Sequence, residues 1–120
     1  MKRPTVASLE KLWSECVKAR AGYKSEYSKK TDSLNSHHIH GKPTYRLRFE
    51  LDNGVCITAG EHKFIAHHAG REDKFKDWAC GLRGFDRDKA RLLSNQAGSS
   101  DLFAVQIYLK QKLKEFKGEL

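Results

Sequence analysis

The sequence predicts an α+β fold, on three observations. Apolar residues recur at helical spacing near the N-terminus, as Leu9, Leu12, Trp13, Cys16 and Val17. An Asn53-Gly54 pair stands between short runs of strand character in the middle of the chain. The last part is helical again, with Leu102, Val105, Leu109, Leu113 and Phe116 spaced along one face. With 120 residues, 38% of them hydrophobic and 32% charged, one domain over 1–120 is the natural count, large enough to bury a core without disulfides.

The first helix is expected from about residue 8 to 21, with Ser8 as its cap and Gly22 as its stop. Lys11, Lys18 and Arg20 fall on its opposite face, which reads as solvated, with contact to phosphate as the alternative. The following polar stretch contains Lys29-Lys30-Thr31-Asp32, which resembles a turn. Leu34 to Ile39 reads as a short strand, and Gly41-Lys42-Pro43 opens a loop. Arg46 to Leu51 alternates charged and apolar residues before Asp52-Asn53-Gly54 turns the chain into Val55-Cys56-Ile57-Thr58, the pattern of a hairpin. A short helix over His62 to His68 is expected next. Phe75, Trp78, Ala79 and Leu82 then share a helical face that Gly84 ends. Asp86 can cap a helix containing Ala90, Leu92 and Leu93, and a longer helix runs from about Asp101 to Lys117 with Lys110, Lys112, Lys114 and Lys117 opposite its apolar face. The expected core lies at about 34–68, with a helical C-terminal extension at about 72–117.

Composition narrows the function classes. No run approaches the roughly 18 apolar residues of a membrane span, and the N-terminal segment is amphipathic, unlike a secretory signal, so a cytoplasmic protein is expected. Cys16, Cys56 and Cys80 form no Cys-x-x-Cys pair and read as buried apolar residues. The net charge of +8 favours a phosphate-rich partner through counterion release, although many basic proteins bind no nucleic acid.

The candidate chemistry lies in Ser36-His37-His38-Ile39, Asp52-Asn53-Gly54-Val55 and Gly60-Glu61-His62. His38 precedes Asn53 by 15 residues, and Asn53 precedes His62 by 9. Imidazoles can ligate a divalent ion or take a proton from water, and an amide can tie down the loop between them, so these residue types suit metal-assisted attack on a phosphodiester. The plainer reading is a hairpin whose histidines merely sit at turns and a helix start.

This order of strand, hairpin and helix bearing the last His resembles the ββα-metal core of the HNH endonucleases. Leu12-Trp13-Ser14, Leu34 to Ile39, Arg48-Phe49-Glu50-Leu51-Asp52-Asn53-Gly54 and Ala59-Gly60-Glu61-His62 look like the HNH proteins of phages and prophages, over roughly residues 8 to 83. The resemblance implies an HNH core hairpin braced by an N-terminal helix and C-terminal helices. It implies that His38 is the general base, that His37 and His62 are metal ligands, and that Asn53 fastens the loop so that the base faces the scissile phosphate. The product would carry a 5′-phosphate. His67 is a further candidate ligand, but its five-residue offset from His62 turns about 140° around an α-helix. His40 and His68 are expected to be exposed or to stand behind the ligands. His37 and His38, as neighbours on a strand, would point to opposite faces unless the strand end is distorted.

The implied activity is a divalent-metal-dependent DNA endonuclease, nicking or cutting duplex DNA with low sequence specificity, in a host cytoplasm if phage or prophage encoded. Mg²⁺ or Mn²⁺ is expected for catalysis, while a His-rich site can also take Zn²⁺ or Ni²⁺. Arg46, Arg48 and Lys42 are the candidate nucleic-acid contacts. The alternatives are a catalytically silent DNA-binding module and an RNase, acting as monomer or homodimer. Many such phage proteins carry a zinc ribbon of two Cys-x-x-Cys pairs. Here its four positions hold Ser25, Ser28, Thr58 and Glu61, so no structural zinc ribbon is expected and the brace is assigned to helix packing.

Overall fold

Thr5, not Ser8, opens the first helix. The computed structural model describes residues 3–41, 45–95 and 101–119, and in it helix α1 spans Val6–Arg20. Thr5 is extended (φ −108°, ψ 163°), and its hydroxyl accepts the Ser8 amide at 3.0 Å. Ser8 returns a hydroxyl oxygen to the Thr5 amide at 2.9 Å, so Ser8 is the reciprocal partner inside the first turn. At the other end Gly22, with φ +68°, reverses the chain as expected.

The sheet has two antiparallel strands, β1 (Leu34–His38) and β2 (Gly54–Thr58), registered from Leu34 opposite Thr58 to His38 opposite Gly54. The mixed α+β class is as the sequence predicts. The expected hairpin between Arg46–Leu51 and Val55–Thr58 is not formed. Tyr45–Arg48 is a short helix, α2, and Leu51–Asn53 a 3-10 turn, so the partner of β2 is the earlier strand. The alternation misled because Leu47 and Leu51 are buried in different places: Leu47 against Phe85 and Ala90, Leu51 against Trp13 and Leu109. Gly54 is extended (φ −126°) and makes no tight turn. Its lack of a side chain serves packing: a Cβ there would lie 2.6 Å from Trp13 Cζ2 and 2.7 Å from Val17 Cγ2.

Alternation along the strands sends side chains to two layers. On one face Leu34 and Cys56 join Trp13, Cys16, Val17, Leu51 and Leu109, and Ser36 Oγ lies 2.9 Å from Ser14 Oγ on α1. Helix α6 (Leu102–Lys117), capped by Asp101 as expected, packs across α1 and closes this layer. On the other face Ile39, Val55 and Ile57 meet Ala66, Phe75 and Ala79. These come from a π-helical turn (His62–Ala66) that continues α3 (Ala59–Glu61), and from α4 (Glu72–Arg83). Asp86 accepts the Lys89 amide at 2.9 Å at the start of α5 (Arg87–Asn95). Leu82 and Leu92, expected to face the core, are 45% and 64% exposed. Cys16 and Cys56 are fully buried, and burial pushes each thiol up to about 11. Among the described residues no helix is long and apolar enough to cross a membrane.

Packing is not the whole brace. Ser25, Thr58 and Glu61 are buried and, with the exposed Ser28, converge in a polar knot. Glu61 Oε1 accepts from Ser25 Oγ at 2.6 Å and from the Thr58 amide at 2.9 Å, and Thr58 Oγ1 accepts the Glu61 amide at 3.1 Å. Ser25 Oγ in turn accepts the Tyr27 and Ser28 amides at 3.1 Å each. Burial pushes the Glu61 carboxyl up, yet hydrogen bonds from Ser25, Ser28 and Thr58 outweigh it and hold the group below its ordinary range. The knot sits immediately before His62.

Candidate metal centre

His37, His62 and His67 form a cluster that could hold a metal ion. One ring nitrogen from each lies within 4.8 Å of the others. Strand β1 supplies His37, which is buried, and the helical segment after β2 supplies the other two. The π-helical turn explains why His67 joins. An α-helix would carry a residue at offset five well off the shared face. A π-helix bonds i to i+5 and brings such a residue back over its partner. The rings of His62 and His67 are accordingly 4.8 Å apart, centre to centre.

The electrostatics suit ligation. Burial, then the neighbouring His62, His67, His38 and Lys76, pushes the His37 imidazole down to about 3. Burial and His67 lower His62 as well. A neutral His37 at physiological pH offers its lone pair without proton competition. His62 Nδ1 lies 3.2 Å from Asn35 Oδ1.

His38 occupies the opposite face of β1. Its ring stacks on Trp13 with centroids 3.9 Å apart and planes 4° from parallel. Its Nε2 lies 2.9 Å from the Arg48 carbonyl, which can only accept, so Nε2 carries the hydrogen and the lone pair of the neutral ring is on Nδ1. β1 stays in register through the His38–Gly54 pair, so His37 and His38 point to opposite faces of an undistorted strand. A cleft of about 690 Å³ wraps its end, lined by Trp13, Ser14 and His38 on one side and His62, His67 and Phe75 on the other.

Asn53 ties the loop behind His38. It is fully buried, its Oδ1 accepts the His40 amide at 2.8 Å, and its Nδ2 donates to the His40 and Leu47 carbonyls at 3.2 and 3.0 Å. The carbonyl after Leu47, that of Arg48, is the one that meets His38. His40 is buried in the cleft wall, with Nε2 2.8 Å from the Phe85 carbonyl, and His68 is exposed.

The arginines expected to meet nucleic acid do not line this cleft. Arg46 is exposed on α2 beside Phe49 and Glu50, and Arg48 Nε lies 3.6 Å from Glu10 Oε1. Lys42 lies outside the described residues. Lys76 contributes a cation to the cleft wall, while Glu10, Glu72 and Asp73 contribute carboxylates. Trp13, Asn35 and Lys76 are the neighbours of the site that sequence reasoning did not place there. For Asn35 a signal existed, since it stands two residues before His37 and must share its strand face. Comparison with family models, with curated proteins and with solved structures gave no match.

Proposed function

We propose that this chain is a divalent-metal-dependent endonuclease of HNH type that hydrolyses DNA phosphodiester bonds with little sequence readout. One observation carries the reading: the three-imidazole cluster and the separately oriented His38 lie on the two faces of one strand end and open into one cleft. The antiparallel pair followed by a helical segment bearing His62 and His67 fits a ββα-metal core, and the net charge of +8 fits a polyanionic substrate.

His37, His62 and His67 would hold the ion. Imidazoles suit Zn²⁺, Co²⁺ or Ni²⁺ better than Mg²⁺, and among the described residues no carboxylate joins the cluster, so a borderline ion fits better than the Mg²⁺ or Mn²⁺ expected from the resemblance. When bound, such an ion supplies charge to polarise a phosphoryl oxygen and to stabilise the leaving 3′ oxygen. His38 acts as the base: its Nδ1 lone pair takes the proton of the attacking water while Nε2 stays bonded to the Arg48 carbonyl. That bond and the Trp13 stack hold the ring in one orientation. Asn53 keeps the loop that presents the carbonyl in place, and Lys76 is positioned to meet a phosphate from the cleft wall.

The test is plasmid nicking with Zn²⁺, Ni²⁺, Co²⁺, Mn²⁺ and Mg²⁺ supplied in turn, with duplex RNA as competitor. His38→Ala is expected to lower turnover by about 10²–10⁴ and to leave metal affinity unchanged, whereas His62→Ala weakens metal binding. Wild-type turnover in His38→Ala would remove the base assignment. Absence of cleavage with every ion would leave a silent binding module, and preference for RNA would reassign the substrate.

A further inference from the structure

We infer that Asn35 is a positioning residue that fixes His62 in the tautomer able to bind metal through Nε2. This rests on the reading of His37, His62 and His67 as metal ligands.

Asn35 and His37 stand on the same face of β1 two residues apart, so a single strand supplies both a ligand and the partner of another ligand. Asn35 Oδ1 lies 3.2 Å from His62 Nδ1. At the other end of the amide Nδ2 faces the Ser33 carbonyl, at 3.5 Å. An amide oxygen can only accept, so His62 Nδ1 carries the hydrogen and donates it. The lone pair then resides on Nε2. An imidazole whose second nitrogen is engaged in this way has its ring plane fixed as well as its tautomer. Loss of such a partner typically weakens metal affinity about 10–100-fold.

The same bond explains why His62 needs an external partner. It sits at the junction of α3 and the π-helical turn, between the knot at Glu61 and the exposed Lys63 and Phe64, and is itself only half-buried. His37, by contrast, is enclosed by Phe75 and the other two imidazoles.

The experiment compares wild type, Asn35→Leu and Asn35→Asp. The leucine is close in volume and has no acceptor, and the aspartate keeps one. Long-range ¹H–¹⁵N spectra of the metal-free proteins report which His62 nitrogen is protonated. The expected result is Nδ1–H in wild type and Asn35→Asp, and a shift of the hydrogen toward Nε2 in Asn35→Leu. Zn²⁺ titration calorimetry is expected to show a Kd raised about 10–100-fold for Asn35→Leu and restored by Asn35→Asp. Equal thermal melts of the three metal-free proteins would place the effect in the ligand and not in the fold. Nε2–H in wild type, or wild-type Zn²⁺ affinity in Asn35→Leu, would overturn the inference alone. Failure of wild type itself to bind Zn²⁺ would overturn the metal reading and the inference with it.

Discussion

The indole of Trp13 lies flat on the imidazole of His38, ring centres 3.9 Å apart and planes 4° from parallel. Trp13 is also among the largest fully buried side chains of the α1 layer, and its Nε1 donates to the Glu50 carbonyl at 2.9 Å. One side chain therefore belongs both to the core and to the wall of the cleft, and a change in the packing around α1 reaches the proposed base directly.

Trp13→Ala is expected to cost about 3–5 kcal/mol, the usual range for deleting a buried large aromatic. Trp13→Phe keeps an aromatic face toward His38 but gives up the bond to Glu50, for a smaller loss of about 1–3 kcal/mol. Urea denaturation of both variants checks the order. Equal losses would mean that the aromatic ring contributes nothing beyond the hydrogen bond to Glu50.

Gly54→Ala and Gly60→Ala should act in opposite directions. A Cβ at Gly54 would meet Trp13 and Val17 at 2.6 and 2.7 Å, so overpacking of about 1–3 kcal/mol is expected, with the indole displaced from His38. At Gly60 the nearest neighbour is Thr58 Oγ1 at 3.9 Å, in a helical segment, where Ala is favoured by about 0.5–1 kcal/mol. Thermal melts with tryptophan fluorescence distinguish the two, and a neutral Gly54→Ala would contradict the close approach.

These packing relations show where the sequence was legible. The helices at both ends were, because Trp13, Val17 and Leu109 repeat at helical spacing over many turns, and Asp101 and Asp86 are strong caps. The hairpin was not, since Leu47, Phe49 and Leu51 alternate like a strand while packing against separate elements. Asn53-Gly54 carried a turn signal, but its two residues serve other ends: Asn53 pins a loop and Gly54 makes room for an indole. The cluster members His37 and His62 could be picked out by residue type and order. His67 was doubtful because regular α-helical spacing was assumed, and only the π-helical turn after Glu61 brings it in. The knot of Ser25, Ser28, Thr58 and Glu61 was visible only as missing cysteines, since hydrogen bonds across 36 residues leave no local pattern.

Stability of the metal-free protein should fall with acid in a defined window. His37 is held down to about 3, against an ordinary value near 6.5, chiefly by burial. Below 6.5 the unfolded chain takes up a proton that the folded protein refuses. The contribution is therefore fully present above about pH 6.5 and is lost progressively toward pH 3, at about 1.4 kcal/mol for each pH unit once the unfolded imidazole is protonated. His62, lowered as well, adds to the slope in the same direction. His37→Phe should flatten the dependence of unfolding free energy on pH between 6 and 4 in urea titrations. An unchanged slope would mean that His37 is protonated in the folded state.

Chelation should remove activity and leave the fold, and the knot at Glu61 is the reason. In a protein braced by four thiolates, structural zinc contributes directly to folding, so EDTA would unfold it. Here Ser25, Ser28, Thr58 and Glu61 are bound to one another through protein hydrogen bonds, with the carboxylate at the centre. The brace is therefore expected to fail on substitution and to withstand loss of metal. Glu61→Ala would strand the Ser25 hydroxyl and the Thr58 amide in a buried site, at about 1–3 kcal/mol for each unsatisfied group. Both bonds end on the same oxygen, so Glu61→Gln retains the acceptor for both of them and should lose less. Circular dichroism melts with and without EDTA, run beside nicking assays, make the comparison. Helical signal should be unchanged by EDTA in wild type and reduced in stability by Glu61→Ala, while cleavage disappears on chelation and returns with added ion. Unfolding of the wild type by EDTA would show that metal holds the fold, and cleavage that persists after rigorous metal removal would exclude the role assigned to His37, His62 and His67.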